Sequence, residues 1–411
     1  ILKHDGKFYI YYPSARKENY VIWANDIRGP WSEPILTGVK GIDPGHVVTA
    51  DGTRYLYTDK GAVTKLTDDG FHADGVADTV YAGWQFPRTW KTEGRNMYLE
   101  SPKIVKRGDY YYLVSAEGGT AGPATSHMAV VARSKSALGP WENSPYNPLV
   151  HTWDTNDQWW SRGHGTLIDD AEGNWWFVYH AYLKDMHTLG RHTLVDPIEW
   201  TEDGWPVLGE LREKGEKSNV MNAPNLSCDF TTFDVSKNEA FGVLPWQFTF
   251  WAEYTPDAIG YGKQGMTVLA KGDSIPAARL LQTTAMDSCY VVETEITSVK
   301  NATAGLLLYY KQNSFAGITF DGKLLTTYRS PPESTTIKVK QKSICLRITN
   351  RKNICLLEYS TDGKIWNQLA SNVDVSSFNH NNYRSFLALR PTLISWGKGA
   401  ITYKYFRYES K

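Results

Sequence analysis

The sequence has few cysteines, no excess of charge of either sign and no long apolar run. Lys and Arg total 44, Asp and Glu also total 44, and the formal net charge of the 411 residues is zero. Zero net charge removes the usual electrostatic basis for binding nucleic acid or an anionic membrane. No apolar stretch approaches the roughly 20 residues that a membrane-spanning helix needs. We therefore expect neither a nucleic-acid partner nor a membrane span.

All four cysteines lie in the second half of the chain, at positions 228, 289, 345 and 355. Cys345 and Cys355 belong to a predicted hairpin that turns at 350–353 and places Cys345 opposite Glu358. Because side chains along a strand alternate between the two faces of a sheet, these thiols point to opposite faces. No disulfide is expected between them, and the spacing of the cysteines and histidines indicates no metal site.

What the chain has in abundance is aromatic residues and glycine, with 16 Trp, 25 Tyr and 34 Gly. Four segments each combine a polar-glycine turn with an aromatic strand, and a short strand precedes each one. Such a unit, repeated about every 50 residues, is typical of the blades of a β-propeller. The four segments are Asp5–Tyr12, Asp51–Thr58, Arg107–Val114 and Glu172–Tyr179.

An ionisable residue stands eight or nine positions before the turn glycine of three repeats. These residues are Asp43, Glu100 and His164. In a propeller the innermost strands converge on the central axis, so we expect the three side chains to surround one funnel. The matching position of the first repeat would precede Ile1, and the propeller is expected to lack its N-terminal part.

The second half has a different pattern of short alternating strands, which favours a β-sandwich. We predict a propeller over residues 1–212, a linker over 213–224 and a sandwich over 225–411. The sandwich either binds polysaccharide or packs against the propeller and closes its pocket. Packing is favoured, because the sequence shows no run of exposed aromatic residues at strand spacing.

A pair of carboxyl groups across a sugar-sized cleft is the equipment for hydrolysis of a glycosidic bond. Glu100 is the candidate acid, and a neighbouring Asp43 would keep it protonated by repulsion between like charges. His164 could orient a water molecule, a substrate hydroxyl or a bound ion.

Between Gly41 and about Leu208 the sequence resembles glycoside hydrolase family 43, whose members are five-bladed propellers that act on arabinosyl and xylosyl linkages. The second half resembles the concanavalin-like β-sandwich found in many members. The stretches that carry the resemblance are GIDPGHVVTADGTRYLY, LESPKIVKRGDYYYLVSAEGGTAGPATSHM, ARSKSALGPWENSPYNPLV, WWSRGHGTLIDDAEGNWWFVYHAY and LGRHTLVDPIEWTEDGWPVL.

The resemblance implies a role for each residue that precedes a repeat. Glu100 matches the general acid, and Asp43 matches the aspartate that adjusts the pKa of the acid and orients it. His164 matches the histidine on the axis, which in some members helps to hold calcium. No cofactor is required, and a structural calcium ion at His164 is possible.

The resemblance also implies residues that contact the substrate. Arg191 matches an arginine that reaches the sugar in the innermost subsite. His127 lies where relatives often place a substrate-contacting histidine, although a buried structural histidine is an equal alternative. Aromatic residues near the three ionisable positions are candidates for the walls of the sugar subsites, and for each of them a structural role is favoured; they are Trp84, Trp90, Trp159 and Trp160.

The resemblance also implies a general base, an aspartate on the first blade, and this chain is expected to lack that blade. Asp5 does not supply the base, because Asp5 lies in a hairpin turn. The chain is thus expected to be part of a longer inverting, exo-acting hydrolase that releases α-L-arabinofuranosyl or β-D-xylosyl units from hemicellulose. The alternative is a non-catalytic sugar-binding propeller, and a protein-interaction platform is a weaker one. The substrate class suggests an extracellular or periplasmic location.

Overall fold

The computed structural model describes residues 1–87, 98–209, 224–238, 241–329 and 334–411. It forms two compact units, an N-terminal unit of Ile1–Lys184 with His192–Asn219 and a C-terminal unit of Asp185–Arg191 with Val220–Lys411. The predicted linker 213–224 lies almost entirely outside the described residues, so the predicted domain boundaries remain a prediction.

The fold is all-β, as predicted, with a single α-helical turn in the described residues, α1 (His380–Tyr383). None of the described helices is long and apolar enough to cross a membrane. Short 3₁₀ turns cover Asp59–Gly61, His187–Leu189, Val235–Lys237, Pro256–Ala258 and Ile275–Ala277.

Four separate antiparallel sheets form the blades, and their strands follow chain order except in the third sheet, where the fifth strand pairs with the third. The first blade contains β1 (Leu2–His4), β2 (Lys7–Pro13), β3 (Glu18–Ala24) and β4 (Ile35–Lys40). The second contains β5 (Gly45–Val48), β6 (Arg54–Thr58), β7 (Ala62–Lys65) and β8 (Asp78–Thr79). The third contains β9 (Leu99–Arg107), β10 (Tyr110–Gly118), β11 (His127–Ser134), β12 (Glu142–Asn143) and β13 (Val150–His151). The fourth contains β14 (Trp159–Asp169), β15 (Trp175–Leu183), β16 (Arg191–Trp200) and β17 (Pro206–Leu208).

Each blade opens with the hairpin that the repeats predict. In the first hairpin Asp5 and Gly6 have φ of 47° and 76°, the left-handed values of the tight turn that suits twisted strands. The predicted propeller is therefore confirmed as four blades, and the described residues do not contain a fifth.

Aromatic residues fill the space between neighbouring blades. The third and fourth blades share a buried cluster in which Tyr112 and Val131 pack with Leu167, Phe177 and Trp205. Burying each large side chain of this kind contributes about 1.5–3 kcal/mol. The high aromatic content thus serves the core, which holds the inner strands and the residues before them in place.

The C-terminal unit is one connected network of thirteen strands. The strands are β18 (Cys228–Asp229), β19 (Thr249–Phe250), β20 (Ile259–Gly262), β21 (Gly265–Leu269), β22 (Arg279–Gln282), β23 (Cys289–Lys311), β24 (Ser314–Phe320), β25 (Leu324–Tyr328), β26 (Thr336–Lys338), β27 (Ile344–Arg351), β28 (Ile354–Ser360), β29 (Asn367–Asp374) and β30 (Arg390–Ser410).

Two long strands, β23 and β30, run through this network. The first half of β23 pairs with β27 and its second half pairs with β24. Between the halves the register with β30 shifts beside Lys300, and a Cβ on Gly399 would lie 1.8 Å from the Lys300 carbonyl oxygen. Glycine at this position lets the two strands bend together, as strands that pass from one sheet to the other do.

The β27–β28 hairpin is formed, but its predicted register is wrong. Cys345 lies opposite Ser360 rather than Glu358. The turn contains only Lys352 and Asn353, with φ of 48° and 75°, and this two-residue turn is tighter than the predicted four-residue one. All four cysteines are free thiols, so the expectation that Cys345 and Cys355 form no disulfide is confirmed.

Candidate active site

The structure brings Asp43, Glu100 and His164 together at one place in the N-terminal unit. Asp43 precedes β5, Glu100 is the second residue of β9, and His164 lies within β14. One carboxylate oxygen of each acid and one ring nitrogen of His164 lie within 4.8 Å of one another. All three side chains are half-buried. Three blades thus contribute one ionisable group each to a single partly solvated cluster.

Left-handed backbone conformations turn these side chains out of the regular strands. Asp43 and His164 both have φ of 56°, and Ser101, next to Glu100, has φ of 53°. His164 lies inside its strand, because β14 begins five residues earlier at Trp159. Two register shifts with β15, on either side of Gly163, let the strand continue past the kink.

The Asp43 carboxylate has donors on two sides. Its Oδ2 accepts a hydrogen bond of 3.2 Å from the Ser101 amide and lies 3.6 Å from His164 Nε2. The Lys103 ammonium donates to the Asp43 carbonyl oxygen at 3.2 Å. Burial lowers the pKa of Lys103 to about 8, and the nearby Asp43 charge opposes that shift. These contacts fix the position of Asp43.

A group of three histidines adjoins the cluster. The ring of His180 lies 5.5 Å from that of His127 and 5.4 Å from that of His164, measured between ring centres. His127 is 1% exposed, and its Nδ1 lies 3.1 Å from the Gly118 carbonyl oxygen. Because a carbonyl only accepts, this Nδ1 is the protonated nitrogen of the ring. The predicted contact of His127 with substrate stays a prediction.

The described residues offer two groups of possible metal ligands, and neither resembles a calcium cage. Asp43, Glu100 and His164 provide two carboxylates and one imidazole, whereas His127, His164 and His180 provide three imidazoles. Calcium takes six to eight oxygen ligands. The ligand atoms that these described residues offer therefore do not fit calcium without several further oxygens.

The other predicted site residues have varied surroundings. Trp84 is half-buried, and its ring lies 6.4 Å from that of Phe86. Arg191 is the first residue of β16 and also the last residue of the segment Asp185–Arg191 that groups with the C-terminal unit, and its guanidinium lies 4.6 Å from the centre of the Phe386 ring. Their contacts with sugar stay predictions. Trp159 lies 5.3 Å from the ring of His192, the Trp160 indole donates to the Thr155 carbonyl oxygen, and Trp90 lies outside the described residues.

Comparison with known proteins gives the geometry its context. The sequence profile of glycosyl hydrolases family 43 matches residues 1–206, which is half of the chain. The chain belongs to glycoside hydrolase family 43. A second profile, that of the β-xylosidase C-terminal concanavalin A-like domain, matches residues 273–409. The predicted family and the predicted accessory sandwich are both confirmed.

Named relatives of this family 43 chain include enzymes for both sugars. It is 33% identical over 217 residues to the non-reducing end α-L-arabinofuranosidase BoGH43B of Bacteroides ovatus, an alignment that covers 50% of the chain and 39% of the relative. It is 30% identical over 260 residues to a xylan 1,3-β-xylosidase of a Vibrio species, covering 54% of the chain and 45% of the relative. The aligned part thus spans less than half of either relative.

A solved structure supports the fold along the whole family 43 chain. The GH43 protein BlXynB of Bacillus licheniformis superposes with a TM-score of 0.81 at 22% identity, covering 100% of this chain and 85% of that one. At this level of identity the likeness concerns the fold.

Sequence reasoning missed several residues that surround the cluster of this family 43 chain, namely His180, Lys103, Thr120 and Glu117. The Thr120 hydroxyl lies 3.4 Å from His180 Nε2. His180 carried a signal, since it is the one histidine in the apolar strand WWFVYHAYL. Glu117 carried one as well, because it is an acid at the end of an otherwise apolar strand.

Proposed function

We propose that the protein is an exo-acting glycoside hydrolase that releases α-L-arabinofuranosyl or β-D-xylosyl units from hemicellulose. The observation that carries the proposal is the cluster of Asp43, Glu100 and His164, with reacting atoms within 4.8 Å, in a chain of family 43. Two carboxyl groups of unequal surroundings are what acid-assisted cleavage of a glycosidic bond uses.

In the proposed step Glu100 transfers its proton to the glycosidic oxygen as the bond from that oxygen to the anomeric carbon breaks. Water attacks the anomeric carbon from the opposite face and gives a proton to a carboxylate base, which inverts the configuration. Asp43 keeps Glu100 protonated by like-charge repulsion until the leaving oxygen takes the proton. His164, 3.6 Å from Asp43 Oδ2, orients Asp43 or a hydroxyl of the sugar.

Asp43 is not the base in this proposal. An inverting pair of carboxyl groups stands roughly 6.5–9.5 Å apart, with the attacking water between them. Asp43 offers an oxygen within 4.8 Å of Glu100, which leaves no room for that water. We infer that another carboxylate is the base.

The choice between arabinose and xylose stays open in the proposal. The relatives include an arabinofuranosidase and a xylosidase at similar identity. The alternative of a non-catalytic binding propeller has no support from these relatives, since both carry the names of enzymes. Because hemicellulose polymers are found outside cells, we also propose an extracellular or periplasmic location.

The test is an assay of the purified protein on aryl β-D-xyloside and aryl α-L-arabinofuranoside, with the first-formed anomer of the sugar followed by proton NMR. We expect hydrolysis of at least one substrate with inverted configuration. A retained configuration would contradict the single displacement. Binding of xylose or arabinose without hydrolysis of either glycoside would contradict the enzyme proposal in favour of a binding propeller.

A further inference from the structure

We propose that Glu117 is a positioning residue, whose carboxyl group holds the main chain at Trp84 and so fixes one wall of the sugar pocket. The proposal rests on the proposed function, because only that function makes Trp84 part of a sugar pocket. The hydrogen bond between Glu117 and Trp84 does not depend on it. Glu117 does not belong to the cluster of Asp43, Glu100 and His164.

Glu117 is buried in the third blade, with 1% of its surface exposed. Its Oε1 accepts a hydrogen bond of 2.5 Å from the Trp84 amide, whereas Oε2 is buried without a hydrogen-bond partner among the described residues. A buried carboxyl group with only one hydrogen bond is costly for the folded state. Groups with this kind of cost are concentrated at functional sites.

The five residues Ala116–Thr120 connect this contact to the cluster. Ala116 pairs with Glu100 across β9 and β10. Glu117 holds Trp84, and the Gly118 carbonyl oxygen holds the His127 ring. The Thr120 hydroxyl lies against His180. One short segment thus contacts the candidate acid, the candidate wall and two of the three histidines.

Glu117 faces away from Glu100, towards the segment that it holds. Glu117 pairs with Leu99 and Glu100 pairs with Ala116, and opposite residues of a strand pair share a face while neighbours along a strand alternate. Gly83 lies against the face of the sheet from which Glu117 projects, and a Cβ added to Gly83 would lie 2.7 Å from Glu117 Oε1. The close approach of the Trp84 segment to the Glu117 carboxyl group therefore depends on the glycine that precedes Trp84.

A second side chain holds the same segment and supplies a control. Asn143 accepts a hydrogen bond of 2.7 Å from the Tyr81 hydroxyl, and its amide lies 3.5 Å from the Gly83 carbonyl oxygen. Tyr81 is a titratable group that faces Glu117. Burial raises the pKa of Tyr81, and the charge of Glu117 raises it further. Burial likewise raises the pKa of Glu117 to about 7, against the Trp84 hydrogen bond, which lowers it.

The direct test is hydrogen exchange, followed by mass spectrometry, of peptides that contain Trp84. Three variants of the full chain are compared, Glu117→Leu, Glu117→Gln and Tyr81→Phe. We expect the leucine variant to exchange the Trp84 amide about tenfold faster, because the acceptor is lost. Glutamine keeps an acceptor and should stay within about threefold of the wild type. Tyr81→Phe should leave Trp84 unchanged, since Glu117 remains.

Kinetics on the aryl glycoside that the wild type hydrolyses provide a second readout. Glu117→Leu should raise KM about tenfold with kcat within about threefold, and Glu117→Gln should restore KM. A general loss of folded protein would lower the apparent kcat and leave KM unchanged. Tenfold in KM corresponds to about 1.4 kcal/mol of binding.

A leucine variant with an unchanged circular dichroism spectrum and unchanged Trp84 exchange would overturn the contact. Faster exchange with an unchanged KM would overturn the role of this segment as a pocket wall. If the leucine variant does not fold, the KM of Glu117→Gln is compared with that of the wild type at one pH above 7 and one below 7. A KM far from the wild-type value at both pH values would overturn the proposal. Failure of the wild type to hydrolyse any glycoside would contradict the proposed function alone.

Discussion

Asp43 Oδ2 lies 3.6 Å from His164 Nε2, although the two residues belong to the second and fourth blades. Both adopt left-handed backbone conformations with φ of 56°. This contact therefore depends on two local kinks and on the packing of the blades between them. Glu100 completes the group from the third blade, which makes the cluster a direct product of the propeller repeat.

Replacing Asp43 with Asn should lower kcat/KM about 100-fold, because the carboxylate that keeps Glu100 protonated in the proposed step is lost. The measurement is steady-state hydrolysis of an aryl glycoside over a range of pH. The pH of maximum activity should differ between the variant and the wild type. Asp5→Asn is the control, since Asp5 lies in a turn with 80% of its side chain exposed. Equal activity of the two variants would contradict the role of Asp43.

Gly45→Ala should destabilise the N-terminal unit by about 3 kcal/mol, because the new Cβ would lie 1.9 Å from the Pro102 carbonyl oxygen, a severe case of overpacking. This glycine lets β5 approach β9 beside Asp43 and Glu100. Denaturant unfolding measures the change. Gly262→Ala, whose Cβ meets nothing within 4 Å, should be within about 0.5 kcal/mol of wild type. A fully stable Gly45→Ala variant would contradict the close packing of these blades.

The stability of the protein should depend on pH through Glu117. Its pKa is about 7 in the folded protein against an ordinary 4.5, so between these values the folded state binds more protons than the unfolded state. The free energy of unfolding therefore falls as pH rises across that range, by about 3 kcal/mol for this group. The advantage of wild type over Glu117→Gln should shrink by that amount between pH 4.5 and 8. A constant difference would contradict the raised pKa.

In the C-terminal unit, Asn353→Ala should cost about 2 kcal/mol of stability. The Thr188 hydroxyl donates to Asn353 Oδ1 at 2.6 Å in a buried position, and Asn353 has φ of 75°, which alanine adopts with strain. Thr188→Val removes the same hydrogen bond without changing the turn. A double-mutant cycle should give a coupling of about 1 kcal/mol, and additive losses would show that the two residues act independently.

The fold could be predicted because a propeller repeats its sequence. The turn glycines mark each hairpin, and counting back from them finds Asp43, Glu100 and His164, which the structure brings within 4.8 Å. Single residues off that repeat were harder. His180 and Glu117 lie inside apolar strands, where alternation alone cannot tell a core position from the edge of a site. The predicted β27–β28 register was wrong because Asn350 and Arg351, which end strand β27, are as polar as the turn residues Lys352 and Asn353.

The central claim is that Glu100 gives a proton to the leaving oxygen, and Glu100→Gln tests it most directly. The variant keeps the shape of the side chain and loses the proton. We predict that turnover of an aryl glycoside with a poor leaving group falls about 1,000-fold, while an activated glycoside that needs little protonation loses about tenfold or less. Unchanged turnover of the substrate with the poor leaving group would contradict the assignment of Glu100 as the acid.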